Sequence, residues 1–136
     1  MSTISETLYP TESHPGDSSA QTRTGERFRG DGFYNRADGF HTVQWTISDF
    51  HGAISIEASL AIDPDENDWF KVRLGNSNDF QIDTTGKVTR TLISEVCYNE
   101  ETTGSFSYNF TGNYVWVRAY IEDWTSGHVN SILMSH

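Results

Sequence analysis

The amino-acid sequence predicts an all-β fold: an antiparallel β-sandwich of jelly-roll type with an extended N-terminal arm and one short helical turn. Three observations favour this fold class. Apolar and polar residues alternate over many stretches, which is typical of strands with one buried face. Glycine-containing turn sequences separate about seven or eight such stretches. In addition, one pattern of strand, turn and strand occurs twice in the chain.

Residues 1–30 are predicted to form the arm, and residues 31–136 the sandwich domain. The first thirty residues are rich in Ser, Thr, Gly and Glu, contain Pro10 and Pro15, and follow neither a strand period nor a helix period. Two interpretations are open: the arm becomes ordered in a groove of a neighbouring subunit, or it is a disordered leader. Its sizeable apolar anchors are few: Ile4, Leu8, Tyr9 and Phe28.

The repeated pattern covers residues 43–60 and 115–134. Each copy contains an alternating strand, an Asp followed by an aromatic residue, a turn with glycine, and a second alternating strand. In the first copy, Asp49 can bond its own backbone and Gly52 can adopt positive φ, so the segment is predicted to be a β-hairpin. The aliphatic faces of both copies are predicted to form the core: Val43, Ile47, Ile54 and Ile56, with Val117, Ala119 and Ile121.

A short helix is predicted near the middle of the chain. Asp63 is placed as a cap, Pro64 as the first helical residue, and acidic residues follow in the first turn. Strand-like alternation resumes at Lys71, which limits the helix to one or two turns. The segment also resembles the start of a calcium-binding loop, but such a loop needs Gly and Glu where this chain has Asp68 and Leu74. Further short strands are predicted at residues 80–82, 88–96 and 105–110.

The composition argues against several classes of partner. The 19 acidic and 9 basic residues give a net charge of −10, which repels nucleic-acid phosphates and anionic lipids. The chain contains no apolar run of about 18 residues, and its N-terminus lacks the features of a signal peptide. We therefore expect a soluble protein, made in a cytoplasm, that binds neither nucleic acid nor membrane.

The sequence contains no motif for catalysis or metal binding. The five histidines lack the spacing to another His or Cys that is typical of a metal site, and the nucleophile-elbow, phosphate-loop and dinucleotide-binding motifs are absent. We expect no metal, no cofactor and no enzymatic activity. Cys97 is the only cysteine, so an intramolecular disulfide is excluded, and its apolar neighbours predict a buried, inert thiol.

Residues 114–121 present two different faces. One is aliphatic and belongs in the core, whereas the other carries two Tyr, a Trp and an Arg, residue types that dominate interface hot spots. The alternative is a set of ordinary cross-strand aromatic pairs on a half-exposed sheet. Residues 28–42 combine Gly, Asp, Arg and aromatic residues and are predicted to form an ordered loop. The predicted partner-binding residues are Leu8, Tyr9, Phe28, Arg29, Tyr34, Arg36, Tyr114, Trp116, Arg118, Tyr120 and Trp124.

Three segments are distinctive: GDGFYNRADGFHTVQWTISDF, IEASLAIDPDENDWF and NFTGNYVWVRAYIEDWTSGHVNSI. Their most specific parts are the blocks DGFY-x-R-x-DG-x-HTVQ and YVWVRAYI-x-x-W-x-x-G-x-V. Through these segments the chain resembles small virion structural proteins of tailed phages, in particular those of marine cyanobacterial phages. The resemblance spans about residues 29–136 and does not cover the first thirty residues.

The resemblance implies a location in the virion, which is assembled in the host cytoplasm, but it does not choose between the capsid and the tail, neck or fibre. Physical reasoning favours a non-enzymatic decoration or cement protein of the capsid. An acidic β-domain could lay its arm across joints between capsid subunits and add many weak contacts. The implied partners are the major capsid protein or other virion proteins, and a homo-oligomer such as a trimer would suit capsid symmetry. The alternative is a tail, neck or fibre component whose β-sandwich binds host glycans. Its candidate stacking residues are Tyr114, Trp116, Tyr120 and Trp124.

Overall fold

We describe the fold from a computed structural model of the protein, over residues 5–17, 19–30, 40–75, 80–82, 84–86, 88–90 and 92–135. Within these residues the chain is nearly all β, as the sequence predicts, with one 3₁₀ turn, Glu66–Asp68. The described strands are β1 (Ser5–Tyr9), β2 (Glu12–Ser13), β3 (Gln21–Thr24), β4 (Phe28–Arg29), β5 (Phe40–Ser59), β6 (Phe70–Lys71), β7 (Phe80–Ile82), β8 (Val88–Arg90), β9 (Val96–Thr111) and β10 (Trp116–Ser135). No helix in the described part of the chain is long and apolar enough to cross a membrane.

The strands β5 and β10 form the centre of an eight-stranded antiparallel sheet and pair with each other over almost their whole length. The outer edge of β5 pairs with β9 along its first part and with β6 near its end. The outer edge of β10 pairs in turn with β1, β2, β3 and β4. The sheet is therefore four strands wide at any point. The short strands β1 to β4 of the N-terminal segment together form one outer edge, and β9 and β6 form the other. A separate two-stranded sheet is formed by β7 and β8.

The predicted hairpin is wrong for the first copy, and the second copy is not a hairpin either. Apart from one terminal residue, each copy of the repeated pattern lies within one continuous strand of 20 residues. The aspartates at the expected turns, Asp49 and Asp123, do have positive φ, of 51° and 52°. The pairing register shifts at both places, as in a β-bulge, where additional residues bend a strand without reversing it. The first part of each copy therefore pairs with the other copy, and not with its own second part.

The burial pattern explains why β5 needs this bulge. The core-cluster residues before Asp49 lie at odd positions, for example Trp45 and Ile47, whereas those after it lie at even positions, for example Ile54 and Ile56. An unbroken strand would place these two sets on opposite faces of the sheet. The additional residue at Asp49 returns both sets to one face, and both sets belong to one core cluster.

The bulges of β5 and β10 lie against each other, and the sheet curls there. The aromatic residues that follow the two aspartates, Phe50 and Trp124, are fully buried, and their ring centroids are 6.0 Å apart. Gly127, at φ 88°, is so close to the other bulge that an added Cβ atom would be 2.1 Å from the Asp49 carbonyl oxygen. Every aliphatic residue predicted to line the core is buried in this cluster.

The N-terminal segment is extended, and it follows the outer edge of β10 in its own chain. Leu8 and Tyr9 of β1 belong to the core, with only 1% and 7% of their surface exposed. Between the short strands the pairing continues, for example where the Gly25 N–H donates to the Ala119 carbonyl oxygen at 2.9 Å. The chain itself therefore supplies a groove for this segment, whereas one of the two interpretations placed that groove on a neighbouring subunit. The division of the chain into two units at residue 30 stays a prediction.

The helical turn has the predicted short length but begins later than the sequence pattern indicates. Its N-cap is Asp65, two residues after the predicted cap. The Asp65 carboxylate accepts a hydrogen bond from the Asn67 backbone N–H at 2.8 Å, and the Asp68 carboxylate accepts one from the Asp65 N–H at 2.9 Å. This reciprocal pairing is a capping box, and it closes a single turn.

The predicted burial of Cys97 is wrong. The strand β9 spans 16 residues, and its first residue, Val96, is buried whereas Cys97 is exposed. Alternation along the strand explains this difference, because neighbouring residues point to opposite faces. Apolar neighbours in sequence therefore did not place the thiol in the core.

We expect the substitution Gly127→Ala to lower the free energy of unfolding by about 2–4 kcal/mol, because it combines an unfavourable φ with a clash against the Asp49 backbone. Gly16→Ala is the matched control, since Gly16 has a φ of 87° but no atom within 4 Å of an added Cβ. The control should lose no more than about 1 kcal/mol. Urea denaturation followed by tryptophan fluorescence measures both losses. Equal losses would show that the contact between the bulges does not constrain the fold.

Candidate binding surface

One face of the sheet carries a group of aromatic and basic side chains that we call the aromatic–cation surface. Its residues on β10 alternate with buried core residues and so lie on the face opposite the core, as the sequence predicts for this strand. Their register partners on β5 are Ser59, Glu57 and Ser55. The remaining members come from β6, from the residue before it and from the N-terminal segment. The aromatic–cation surface comprises Arg27, Trp69, Lys71, Trp116, Arg118 and Tyr120.

Arg118 is the most buried charged residue of this surface, with only 8% of its surface exposed. Its Nε atom is 2.8 Å from Glu57 Oε1, and its Nη2 atom is 3.6 Å from Glu66 Oε2. The guanidinium also lies over the ring of Trp69, 4.1 Å from its centroid. A buried charge is costly unless it is paired, and here the carboxylate and the ring both compensate for lost hydration.

Trp116 connects the surface to the N-terminal segment and to the loop after β5. The Arg27 guanidinium lies 4.4 Å from the centroid of the Trp116 ring. The indole Nε1–H donates to the Ile62 carbonyl oxygen at 2.9 Å, and Arg27 Nη1 is 3.4 Å from Asp63 Oδ1. One face of the indole ring is therefore covered by a cation, and its position is fixed by backbone of the loop.

Lys71 forms the third cation contact, beside Tyr120. Its Nζ atom is 2.8 Å from Glu122 Oε1, 3.1 Å from Glu95 Oε2 and 5.6 Å from the Tyr120 ring centroid. Partial burial acts to lower the pKa of Lys71, but hydrogen bonds to Glu122 and Glu95 outweigh it and raise that pKa. The hydrogen bond from Lys71 lowers the pKa of Glu122. Both groups are therefore held in their charged forms.

The thiol of Cys97 lies near this cluster. Although Cys97 is exposed, its thiol is partly shielded from water, and this desolvation, with the nearby charges of Glu95 and Glu122, raises the pKa of the thiol. A raised pKa keeps the thiol protonated at neutral pH, and the protonated form is a poor nucleophile. Partial burial likewise raises the pKa of the Tyr120 hydroxyl, again with a contribution from Glu122.

Two grooves lie beside the aromatic–cation surface. The groove next to Trp116 has a volume of about 400 Å³ and is lined by residues of β1 and of the segment around β4. The groove next to Lys71 has a volume of about 540 Å³, and Arg73, Glu95 and Cys97 are among its lining residues. Both grooves are wide open to solvent, so a ligand would bind on an open surface and not in an enclosed pocket.

Three of the predicted partner-binding residues are buried in the protein's own core. They are Leu8, Tyr9 and Trp124, which are 1%, 7% and 0% exposed. The Trp124 indole N–H donates to the Ser126 carbonyl oxygen at 2.9 Å. Its ring therefore lies inside the bulge contact and cannot serve as a platform for a partner or a sugar.

The other predicted residues have several environments. Phe28 and Tyr114 are half-buried and pack against the core. Arg29 is exposed, opposite Trp116 in the pairing of β4 with β10. Tyr34 and Arg36 lie outside the described residues. The remaining three predicted residues are on β10 and form the middle of the aromatic–cation surface: Trp116, Arg118 and Tyr120.

Sequence reasoning missed Arg27, Trp69, Lys71 and the glutamates that hold the cations. These residues meet only because β6 and the N-terminal segment lie beside the two central strands. No local pattern in the sequence indicates those pairings. A usable signal was present at Trp69, because large aromatic residues dominate the energetics of cores and interfaces.

Neither a protein-family model nor a curated protein matches the chain. Among solved structures, it is similar to the SPBc2 prophage-derived protein YomS, with a TM-score of 0.57 and 18% identity over 98% of this chain and 91% of that chain. A family 29 carbohydrate-binding module from Piromyces equi gives a TM-score of 0.45 at 10% identity, covering 100% of this chain and 93% of the module. A cleaved adhesin domain of Lys-gingipain from Porphyromonas gingivalis gives 0.46 at 9% identity, over 98% of both chains. The likeness to YomS shows that the two proteins share a fold over nearly their whole length.

The pairing of Glu122 with Lys71 predicts a specific dependence of stability on pH. Because the pKa of Glu122 is lowered in the folded protein from its ordinary value of 4.5, its contribution is present above that value and is lost as the pH falls through the folded pKa. We expect Glu122→Gln to lower the free energy of unfolding by up to about 1 kcal/mol at pH 7. This difference from wild type should shrink below pH 4.5.

The matched control for this prediction is Glu101→Gln, since Glu101 is an exposed residue of β9. Urea denaturation at a series of pH values between neutral and acidic measures wild type and both variants. The control should follow wild type over the whole range. A Glu122→Gln deficit that persists unchanged in acid would contradict the role of the Lys71 pairing.

Proposed function

We propose that the protein is a non-enzymatic structural component of a phage virion, and that the aromatic–cation surface docks it onto other virion proteins. The observation that carries this proposal is the likeness to the prophage-derived protein YomS, which extends over nearly the whole of both chains. The resemblance of residues 29–136 to virion proteins of tailed phages supports the same assignment. Within the virion, capsid decoration is the first candidate, with the major capsid protein as partner.

The geometry of the surface suits protein docking. Trp, Tyr and Arg are the residue types that carry most binding energy at interfaces. Here Trp116, Arg118 and Tyr120 are each held by a cation contact or an ion pair, so little side-chain freedom remains to be lost on binding. Side chains that are fixed before the encounter bind more strongly than free ones with the same contact area.

The N-terminal segment is not the docking element in this proposal. Its backbone pairs with β10, and Leu8 and Tyr9 fill part of the core. Deleting the segment would uncover the edge of β10 and remove core side chains, which lowers stability. Loss of binding in such a truncated protein would therefore report on folding, so the docking surface has to be tested by substitutions.

The direct test is the location and copy number of the protein in purified particles of the phage or prophage that encodes it. Quantitative mass spectrometry with immunogold labelling gives both. Hundreds of copies over the head would support capsid decoration, whereas small multiples of three or six at one end would support a neck, baseplate or fibre position. Absence from gradient-purified particles would contradict the proposed function.

Host-glycan binding at the same surface, in a tail or fibre protein, is the second candidate. The observation that favours it is the presence of open grooves of about 400 and 540 Å³ beside Trp116 and Lys71. Sugars stack on exposed aromatic rings and bond to fixed polar groups. The cations over Trp116 and Tyr120 leave only the uncovered side of each ring for such stacking.

Calorimetric titration of the purified protein with lipopolysaccharide or surface polysaccharide of the host tests this candidate. If it is correct, Trp116→Ala should weaken binding by about tenfold or more, because it removes one stacking ring. Trp116→Phe keeps an aromatic ring under Arg27 and should retain most of the affinity. No heat of binding with any host glycan, or equal affinity of wild type and Trp116→Ala, would exclude sugar stacking at this ring.

A further inference from the structure

The loop that follows β5 exposes large apolar side chains. Leu60 and Ile62 are 63% and 83% exposed. Phe70 is 42% exposed and pairs opposite Ala58, so it lies at the same end of the sheet. Single apolar residues are common on protein surfaces, but several exposed in one region are typical of interaction sites.

The backbone of this loop is fixed, so the exposed side chains are presented in a defined position. The Ser59 hydroxyl accepts a hydrogen bond from the Ala61 N–H at 3.1 Å. Trp116 donates to the Ile62 carbonyl oxygen, and Arg27 pairs with Asp63. A loop that is ordered before binding loses little entropy when it docks. We call residues 60–63 the apolar loop.

Acidic side chains lie at the last position of the apolar loop and directly after it. The side chains of Asp63 and Glu66 are 91% and 87% exposed, although each contacts one arginine. Asp65 and Asp68 are exposed as well. The apolar loop is therefore bordered on one side by negative charge, and a complementary partner offers an apolar socket with basic residues on its rim.

The same charges argue against two other occupants. Anionic lipid headgroups would be repelled by the exposed carboxylates and by a net charge of −10. A second copy of this chain, docked by the same patch across a two-fold axis, would bring two acidic clusters together. Like charges across an interface cost binding energy. The complementary occupant is thus a different protein with a basic rim.

We propose that Leu60 and Ile62 insert into an apolar socket with a Lys- or Arg-rich rim on another virion protein, and that the acids of residues 63–66 pair with that rim. This inference rests on the proposed function and names the chemistry of its partner. The apolar loop adjoins the aromatic–cation surface through Trp116, so the two form one continuous docking face.

The test uses phage particles from a strain in which the gene is deleted, to which purified protein is added. Sedimentation of particles with bound protein gives the affinity. The double variant Leu60→Ser, Ile62→Ser should bind at least about tenfold more weakly than wild type. Both side chains are exposed, so the variant should keep the wild-type circular dichroism and unfolding midpoint. Ala20→Ser is the control, because Ala20 is also apolar and exposed but directly precedes β3, beside Trp124 at the bulge and away from the apolar loop.

A second variant tests the charged rim. Asp63→Asn with Glu66→Gln should weaken binding at low salt and reduce its dependence on salt concentration. In addition, a photo-crosslinking amino acid at position 62 should attach the protein to a different virion protein. The peptide recovered from that protein should contain Lys or Arg beside apolar residues.

The outcomes separate the two claims. If wild-type protein does not bind the depleted particles, the proposed function fails and this inference fails with it. If wild type binds and the Leu60→Ser, Ile62→Ser variant binds equally well, the inference is overturned while the proposed function stands. Equal weakening by Ala20→Ser, crosslinking to a second copy of the chain, or binding to anionic vesicles through the apolar loop would also overturn it.

Discussion

The contact between the two bulges is the constraint on which the rest of the structure depends. Asp49 and Asp123 each adopt positive φ, and the aromatic residues after them, Phe50 and Trp124, meet inside the bend. Because β5 and β10 pair with each other, a bend in one strand has to occur beside a bend in the other. Gly127 permits the close approach of the two backbones. The result is a pair of long strands that curl together and bury their apolar faces in one core.

This curl also decides what the other segments can do. A continuous β10 offers an outer edge long enough for the whole N-terminal segment, and Leu8 and Tyr9 reach the core from that edge. On the opposite face, the regular alternation of residues 116–121 aligns one Trp, one Arg and one Tyr. The candidate binding surface is therefore a direct consequence of the same strand that organises the core.

The sequence predicted which strand residues are buried better than it predicted how the strands follow one another. Alternation identified the buried residues of both copies, since burial in a sheet follows directly from the period of two. It did not distinguish a bulge from a hairpin, because Asp49 and Gly52 suit either. The distinguishing signal was the change from odd to even apolar positions, from Ile47 to Ile54, which a bulge explains by its additional residue.

The pairing of the N-terminal segment could not be predicted for a different reason. Its bonds to β10 are made by backbone groups, which have no sequence signature, and its apolar anchors are too widely spaced to show a period. The same limit applies to Lys71, whose glutamate partners lie on β10 and near β9. Contacts between strands that are distant in the sequence depend on which strand edges pair. Local sequence patterns carry no information about that pairing.

The position of Arg27 gives the N-terminal segment a role different from that of a free arm. Its guanidinium contacts the Trp116 ring and the Asp63 carboxylate, so it joins the aromatic–cation surface to the apolar loop. An arm that bound the partner directly would lose this contact, because Arg27 would move away from Trp116. A segment that stays paired with β10 instead holds both parts of the docking face in one fixed arrangement. In the proposed binding, the N-terminal residues thus hold the docking face in position, and the energy of docking comes from side chains elsewhere in the chain.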